Sequence, residues 1–270
     1  MTKHLITAGE VQLAGHVFGS GQPLVMIHGF PLDHSMWQAQ IEALPDNYQT
    51  IAPDLRGFGE SAAADGDASS GVDMQTFAAD LVAVLDELQI TEPVILCGFS
   101  MGGYILWQFL QQYPHRVRAV VLCDTRASAD SPEAAAGREQ MASKVLNEGI
   151  EPLVVGMLPK LLAASTQAER PEIVEQVATM IRKAPPAAVA AALRGMARRP
   201  DVVDALPTFD LPALVVAGAD DAISTPAEMQ AIATRLPQAK FVEIADAGHL
   251  SPLENPTAFN EALRAFIESL

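Results

Sequence analysis

Along the chain, short runs of apolar residues alternate with longer stretches in which apolar positions recur every third or fourth residue. The short runs end in Gly, Asp or Pro, and unbroken apolarity at that length marks strands buried on both faces. They cover Val11–Phe18, Leu24–Ile27, Gln49–Ala52, Val94–Cys97, Ala119–Cys123, Ala213–Ala217 and Phe241–Ile244. The longer stretches, Ser35–Ala43, Met74–Leu88, Met101–Gln112, Pro226–Leu236 and Pro256–Ser269, have helical period. This alternation predicts an α/β fold, a mostly parallel, doubly wound sheet with helices on both faces. Leu5–Ala8, ahead of Gly9-Glu10, also permits an antiparallel hairpin with Val11–Phe18.

The alternation stops between Thr125 and Ala205. That span has no strand pattern, only Ala-, Met- and Leu-rich helical stretches cut by prolines such as Pro132, Pro152, Pro171 and Pro186. It holds ten Lys/Arg and ten Asp/Glu, so the remainder of the chain carries the whole net charge of −16. We therefore expect a core domain built from 1–124 and 206–270, with 125–205 inserted between two strands as a helical cap. Ala62–Gly71 is small and polar and reads as a mobile loop.

A chain of 270 residues can bury a core without staples. Its acidic balance argues against nucleic acid, and the absence of a polybasic run argues against anionic membrane surfaces. The two cysteines, Cys97 and Cys123, both end apolar runs and read as small buried hydrophobes of a reducing compartment. Neither a signal-peptide pattern nor a transmembrane run is visible, so a cytoplasmic protein, monomer or homodimer, is expected.

The strongest local signal is Gly98-Phe99-Ser100-Met101-Gly102-Gly103, directly between a strand and an amphipathic helix. A nucleophile on so sharp a turn needs small neighbours two residues away on either side, which Gly98 and Gly102 supply. The plain alternative is a Gly-rich loop; the strand and helix on either side favour the nucleophile. Serine needs an oriented imidazole. His249, in a loop beyond the last strand, is the candidate base, because parallel-strand C-terminal ends are where ligands bind. His4 and His16 fall in the N-terminal hairpin, and His115 at a helix end. A carboxylate should fix the imidazole tautomer. Asp220 and Asp221 follow Ala213–Ala217, and Asp124 closes Ala119–Cys123, so three candidates stand.

These contexts, with His28-Gly29-Phe30-Pro31-Leu32-Asp33, Asp54-Leu55-Arg56-Gly57-Phe58-Gly59-Glu60-Ser61 and Glu254-Asn255-Pro256, resemble the α/β-hydrolase superfamily. The resemblance covers essentially the whole chain and is closest to the cofactor-free haloperoxidase, enol-lactonase and carboxylesterase branch. It implies the α/β-hydrolase fold and favours Asp221 as the acid. Pro226 stands one position later than that family places it, which keeps Asp220 a rival. It further implies an oxyanion hole from the backbone N–H groups of Phe30 and Met101, and no cofactor. His28 reads as a loop-bonding residue. The trio His28, Asp33 and His34 lacks a second group of ligands, so no metal is expected. Trp37, Tyr104 and Met157, with Met36, Met101 and Met180, are candidates for a substrate pocket, although such residues also serve as plain core.

The implied activity is hydrolysis of small carboxylic esters or lactones through an acyl-enzyme. Perhydrolysis and hydrolytic C–C cleavage would use the same groups. Dehalogenase and epoxide-hydrolase relatives place an aspartate where Ser100 stands, which argues against those reactions. A reading of another class is a ligand receptor or interaction protein on the same scaffold.

Overall fold

The computed structural model describes residues 2–45 and 47–270. Apolar strands set the framework, in chain order β1 (Thr2–Ala8), β2 (Val11–Gly19), β3 (Gln22–Ile27), β4 (Tyr48–Pro53), β5 (Val94–Phe99), β6 (Val117–Cys123), β7 (Ala213–Gly218) and β8 (Ala239–Ile244). They form a single eight-stranded sheet in the order β1-β2-β4-β3-β5-β6-β7-β8. The hairpin β1–β2 and the β2–β4 pair are antiparallel, and all other pairs are parallel. Every residue of β5 and β7 is buried, as continuous apolar runs require. Cys97 and Cys123 lie fully buried in β5 and β6 as free thiols.

The helices are α1 (Gln38–Ala43), α2 (Asp67–Ser70), α3 (Met74–Glu87), α4 (Met101–Gln112), α5 (Pro132–Glu148), α6 (Glu151–Leu161), α7 (Ala164–Glu169), α8 (Pro171–Lys183), α9 (Pro186–Ala197), α10 (Pro226–Arg235), α11 (Ser251–Glu254) and α12 (Pro256–Ile267). None of the described helices is long and apolar enough to cross a membrane. Between β6 and β7 the described residues hold no strand, only α5–α9 and a 3-10 turn at Val203–Thr208. Prolines stand at the first or second positions of α5, α6, α8 and α9, where a missing N–H costs nothing.

Two expectations change. The helical pattern at Ser35–Ala43 is split, with a 3-10 turn at His34–Trp37 before α1, because Asp33 accepts the Ser35 N–H and starts the turn early. The segment 62–71 is not a featureless loop. It contains α2, Arg194 of α9 donates to the Ala68 carbonyl, and the next residue, Val72, donates its N–H to Ala191 O of α9.

The chain reverses its direction of travel across the sheet at β3. It runs from β3 outward to β4, then returns past β3 to β5 and continues to β8. The loops after β3 and β5 therefore leave neighbouring strands in opposite directions, and the crevice between them is where open α/β sheets bind ligands. Ile27 pairs with Gly98 across that boundary, so both loops start level.

Candidate active site

Ser100 sits between β5 and α4 with φ 49° and ψ −111°, left-handed backbone that the flanking geometry holds in place. A Cβ on Gly98 would lie 2.6 Å from Gly102 O, and one on Gly102 would lie 2.3 Å from Ile27 O. Both contacts are with backbone, so glycine at these positions is a packing requirement. The Ser100 N–H donates to Cys123 O, and the Thr125 hydroxyl donates to Ser100 O at 2.7 Å. Thr125 fits only because Gly103 faces it without a side chain. The N-terminus of α4 points at the serine and places partial positive charge there.

Ser100 Oγ lies 2.9 Å from His249 Nε2. His249 Nδ1 lies 2.8 Å from Asp221 Oδ2. Since a carboxylate oxygen only accepts, Nδ1 carries the proton and Nε2 is free to accept from the serine hydroxyl. Asp221 Oδ1 accepts from the Ile223 and Ser224 N–H groups, and Oδ2 also accepts from the Ser224 hydroxyl at 2.9 Å. Burial by itself raises the Asp221 pKa; the adjacent imidazole and these N–H donors outweigh it and hold the carboxyl below its ordinary range. Ser224 Oγ also stands 3.3 Å from His249 Nδ1, so it buttresses acid and base together.

The rival carboxylates are engaged elsewhere or point away. Asp124 accepts from Gly218 N at 2.7 Å and from the Ser251 hydroxyl at 2.5 Å. Complete burial, and then repulsion from Asp221, push its pKa well above the carboxylate range. Asp220 lines an open cleft with Lys160 and Asp246.

His28 is fully buried and donates from Nδ1 to Gly29 O, while Nε2 accepts the Leu55 N–H at 2.9 Å. Both nitrogens are thus used to join the loops after β3 and β4, and burial lowers its pKa. Neither the Phe30 N–H nor the Met101 N–H meets a protein acceptor among the described residues. They flank the crevice at the ends of β3 and β5. A cavity of about 240 Å³ lies to one side, lined by Pro31, Leu32, His34, Phe58 and Met180 among others and not by Ser100 or His249.

The pocket candidates divide. Trp37 has no exposed surface and lies 6.5 Å from Phe99 and 6.2 Å from Phe259 between ring centroids, which makes it core beneath the site. Met36 and Met101 are buried with it, and Met180 borders the cavity. Tyr104 lies one turn beyond Ser100, under the Arg199 guanidinium at 4.3 Å. Arg199 and Arg138 both pair with Asp130, and this buried network fixes the ends of α5 and α9 over Tyr104. Met157 is half-buried on α6.

His16, His34 and Asp54 bring donor atoms within 4.8 Å of one another. Their geometry does not suit an ion. The two imidazoles stack 3.4 Å apart and within 14° of parallel, so their in-plane lone pairs run side by side instead of converging. Asp54 instead accepts from His16, His34, and the His34 and Glu60 N–H groups. Burial alone would raise its pKa, but these donors hold it far below the usual range. Ser224 and Thr125 carry no motif in the sequence, although Ser224 stands three residues after a candidate acid; Asp54 and Glu60 lie in a motif, but their pairing with His16 and His34 is tertiary.

A family model for the alpha/beta hydrolase fold matches residues 22–256. The chain is 29% identical to 3-oxoadipate enol-lactonase 2 of Acinetobacter baylyi, over 98% of this chain and 97% of that one. It is 28% identical to the putative non-heme bromoperoxidase BpoC of Mycobacterium tuberculosis, over 96% and 99%. A solved thermophilic esterase from Thermogutta terrifontis with malate bound superposes with a TM-score of 0.95 at 43% identity, over 100% of this chain and 99% of that one.

Proposed function

The chain belongs to the α/β-hydrolase family, and from that premise we propose that it is a serine hydrolase cleaving small carboxylic esters or lactones through an acyl-enzyme. The observation that carries this reading is the continuous hydrogen-bonded line from Ser100 Oγ through His249 to Asp221, at 2.9 and 2.8 Å. The esterase and enol-lactonase relatives support the choice of ester and lactone bonds.

In this mechanism His249 Nε2 takes the Ser100 proton as Oγ attacks the carbonyl carbon. The charge that develops on the carbonyl oxygen is met by the uncommitted N–H groups of Phe30 and Met101 and by the α4 N-terminus. Asp221 stays ionised and stabilises the imidazolium. His249 then gives the proton to the leaving alkoxide; in a lactone that alkoxide remains tethered as a hydroxyl on the acyl group. Water attacks the acyl carbon while passing a proton to His249, and Ser100 is restored as the acid leaves. The helices α5–α9 serve as a cap that roofs the site.

The test is turnover of short nitrophenyl esters and small lactones by wild type and Ser100→Ala. The variant should lose about three orders of magnitude or more in kcat. Equal rates in the two proteins would remove the serine-hydrolase reading.

A further inference from the structure

Behind the proposed base lies a carboxylate to which the mechanism gives no part. Glu254 is 1% exposed, five residues beyond His249 at the end of α11. Its Oε1 accepts the Gly248 N–H at 2.9 Å and the Leu250 N–H at 3.3 Å, the two amides on either side of His249. Its Oε2 accepts the Ala163 N–H at 2.8 Å, from the junction of α6 and α7. Further bonds tie the end of α6, and Arg170 between α7 and α8, to the residues around the same loop. Leu250 N–H also donates to Leu161 O at 3.2 Å, and Arg170 donates to the carbonyls of Glu254 and Asp246. Gly248 lets the two segments touch, since a Cβ there would lie 2.5 Å from Ala163 N and 2.9 Å from Leu162 C.

We infer that Glu254 is a positioning residue for His249: one buried carboxylate bonds both flanks of the base's loop and the α6–α7 junction, so the imidazole is aligned on Ser100 only while that junction is seated. Oε1 sets the Ala247–Gly248 and His249–Leu250 peptide planes, and the carboxylate itself is set by its third donor on Oε2. This inference rests on the hydrolase reading for its catalytic consequence and on geometry alone for the linkage. A misplacement of about 1 Å at a reacting group can cost about 100-fold in rate, so a loosened loop is read in kcat.

Glu254→Gln is the informative change. It keeps the volume, but whichever way the amide turns, its NH₂ opposes one of the backbone N–H donors. We expect kcat on a nitrophenyl ester to fall about 10- to 100-fold with KM within about threefold of wild type. The rate of fluorophosphonate labelling at Ser100, read by mass spectrometry, should fall in parallel. A folded variant with reduced thermal stability but wild-type kcat and labelling rate would overturn the positioning role. Hydrogen exchange on the wild type removes dependence on the variant's folding. The amides of Ala163, Gly248 and Leu250 should exchange as one unit, with protection within about tenfold of one another. Ala163 exchanging about a hundredfold faster than the other two would equally overturn the inference. Failure of wild-type protein to label at Ser100 would instead sink the hydrolase reading and leave the exchange result to judge the linkage.

Discussion

Asp221 and Asp124 share Gly218: one donates its own N–H to that residue's carbonyl, and the other accepts that residue's N–H. Their pKa values are nonetheless pushed in opposite directions, because Asp221 faces an imidazole and two N–H donors while Asp124 faces burial and a neighbouring negative charge. An amide should therefore have contrasting effects at the two positions. Asp221→Asn presents the wrong partner to Nδ1–H and should lower kcat by about 10³- to 10⁴-fold. Asp124→Asn removes a charge that burial disfavours, at a side chain that does not touch His249, and should keep kcat within about threefold of wild type. The stability effect has a definite sign. A group whose folded pKa is raised favours the fold below its unfolded value, near 4, and loses that contribution as pH rises. Asparagine is neutral in both states, so Asp124→Asn should melt at or above the wild-type temperature at pH 7, by about 2–4 °C for each kcal/mol relieved. The difference should vanish toward pH 4. Melting curves at the two pH values check this, and a large loss of stability at pH 7 would mean that Asp124 is held ionised.

At the scale of elements, the site depends on how closely α4 can approach the end of β3. Gly102→Ala would drive a methyl group into the Ile27 carbonyl, so α4 would have to move away from the sheet. We expect at least about a tenfold loss of kcat/KM together with a lowered melting temperature. Gly137→Ala in α5 is the control, since a Cβ there meets nothing within 4 Å, and it should stabilise by about 0.5–1 kcal/mol. Sequence pattern made the elbow legible because strand, glycines and helix are contiguous, and α4 has the bounds that its periodicity predicts. The buried strands were legible for the same local reason. Other parts were hidden because their cause is tertiary. Asp33 turns the start of a helical pattern into a 3-10 turn through one hydrogen bond, and α2 forms where 66–72 lies against α9. Thr125 supports Ser100 only through the sheet pairing of β5 with β6, which no spacing along the chain reveals.

For the whole molecule, charge sets how substrates arrive. The net charge is −16, and residues 125–205 are neutral, so the excess lies on the sheet domain beneath the proposed cap. The basic residues of that segment are largely paired: Arg138 and Arg199 with Asp130, Arg194 with Glu139, Arg198 with Asp73, and Arg182 with Glu151. Few of them are left to offset the field at the site, so an anionic substrate approaches against repulsion that salt can screen. The screening length falls from about 30 Å at 0.01 M to about 8 Å at 0.15 M ionic strength, which spans the relevant distances. A carboxylate-bearing nitrophenyl ester should therefore gain about two- to fivefold in kcat/KM over that range. Its neutral counterpart of similar size should stay flat, because its capture has no long-range electrostatic component. Initial rates at fixed pH for the matched pair measure this directly. A fall in kcat/KM for the anionic ester would instead reveal local cationic capture strong enough to outweigh the acidic sheet domain, with the exposed Lys160 or Lys183 of α6 and α8 as the residues to replace next.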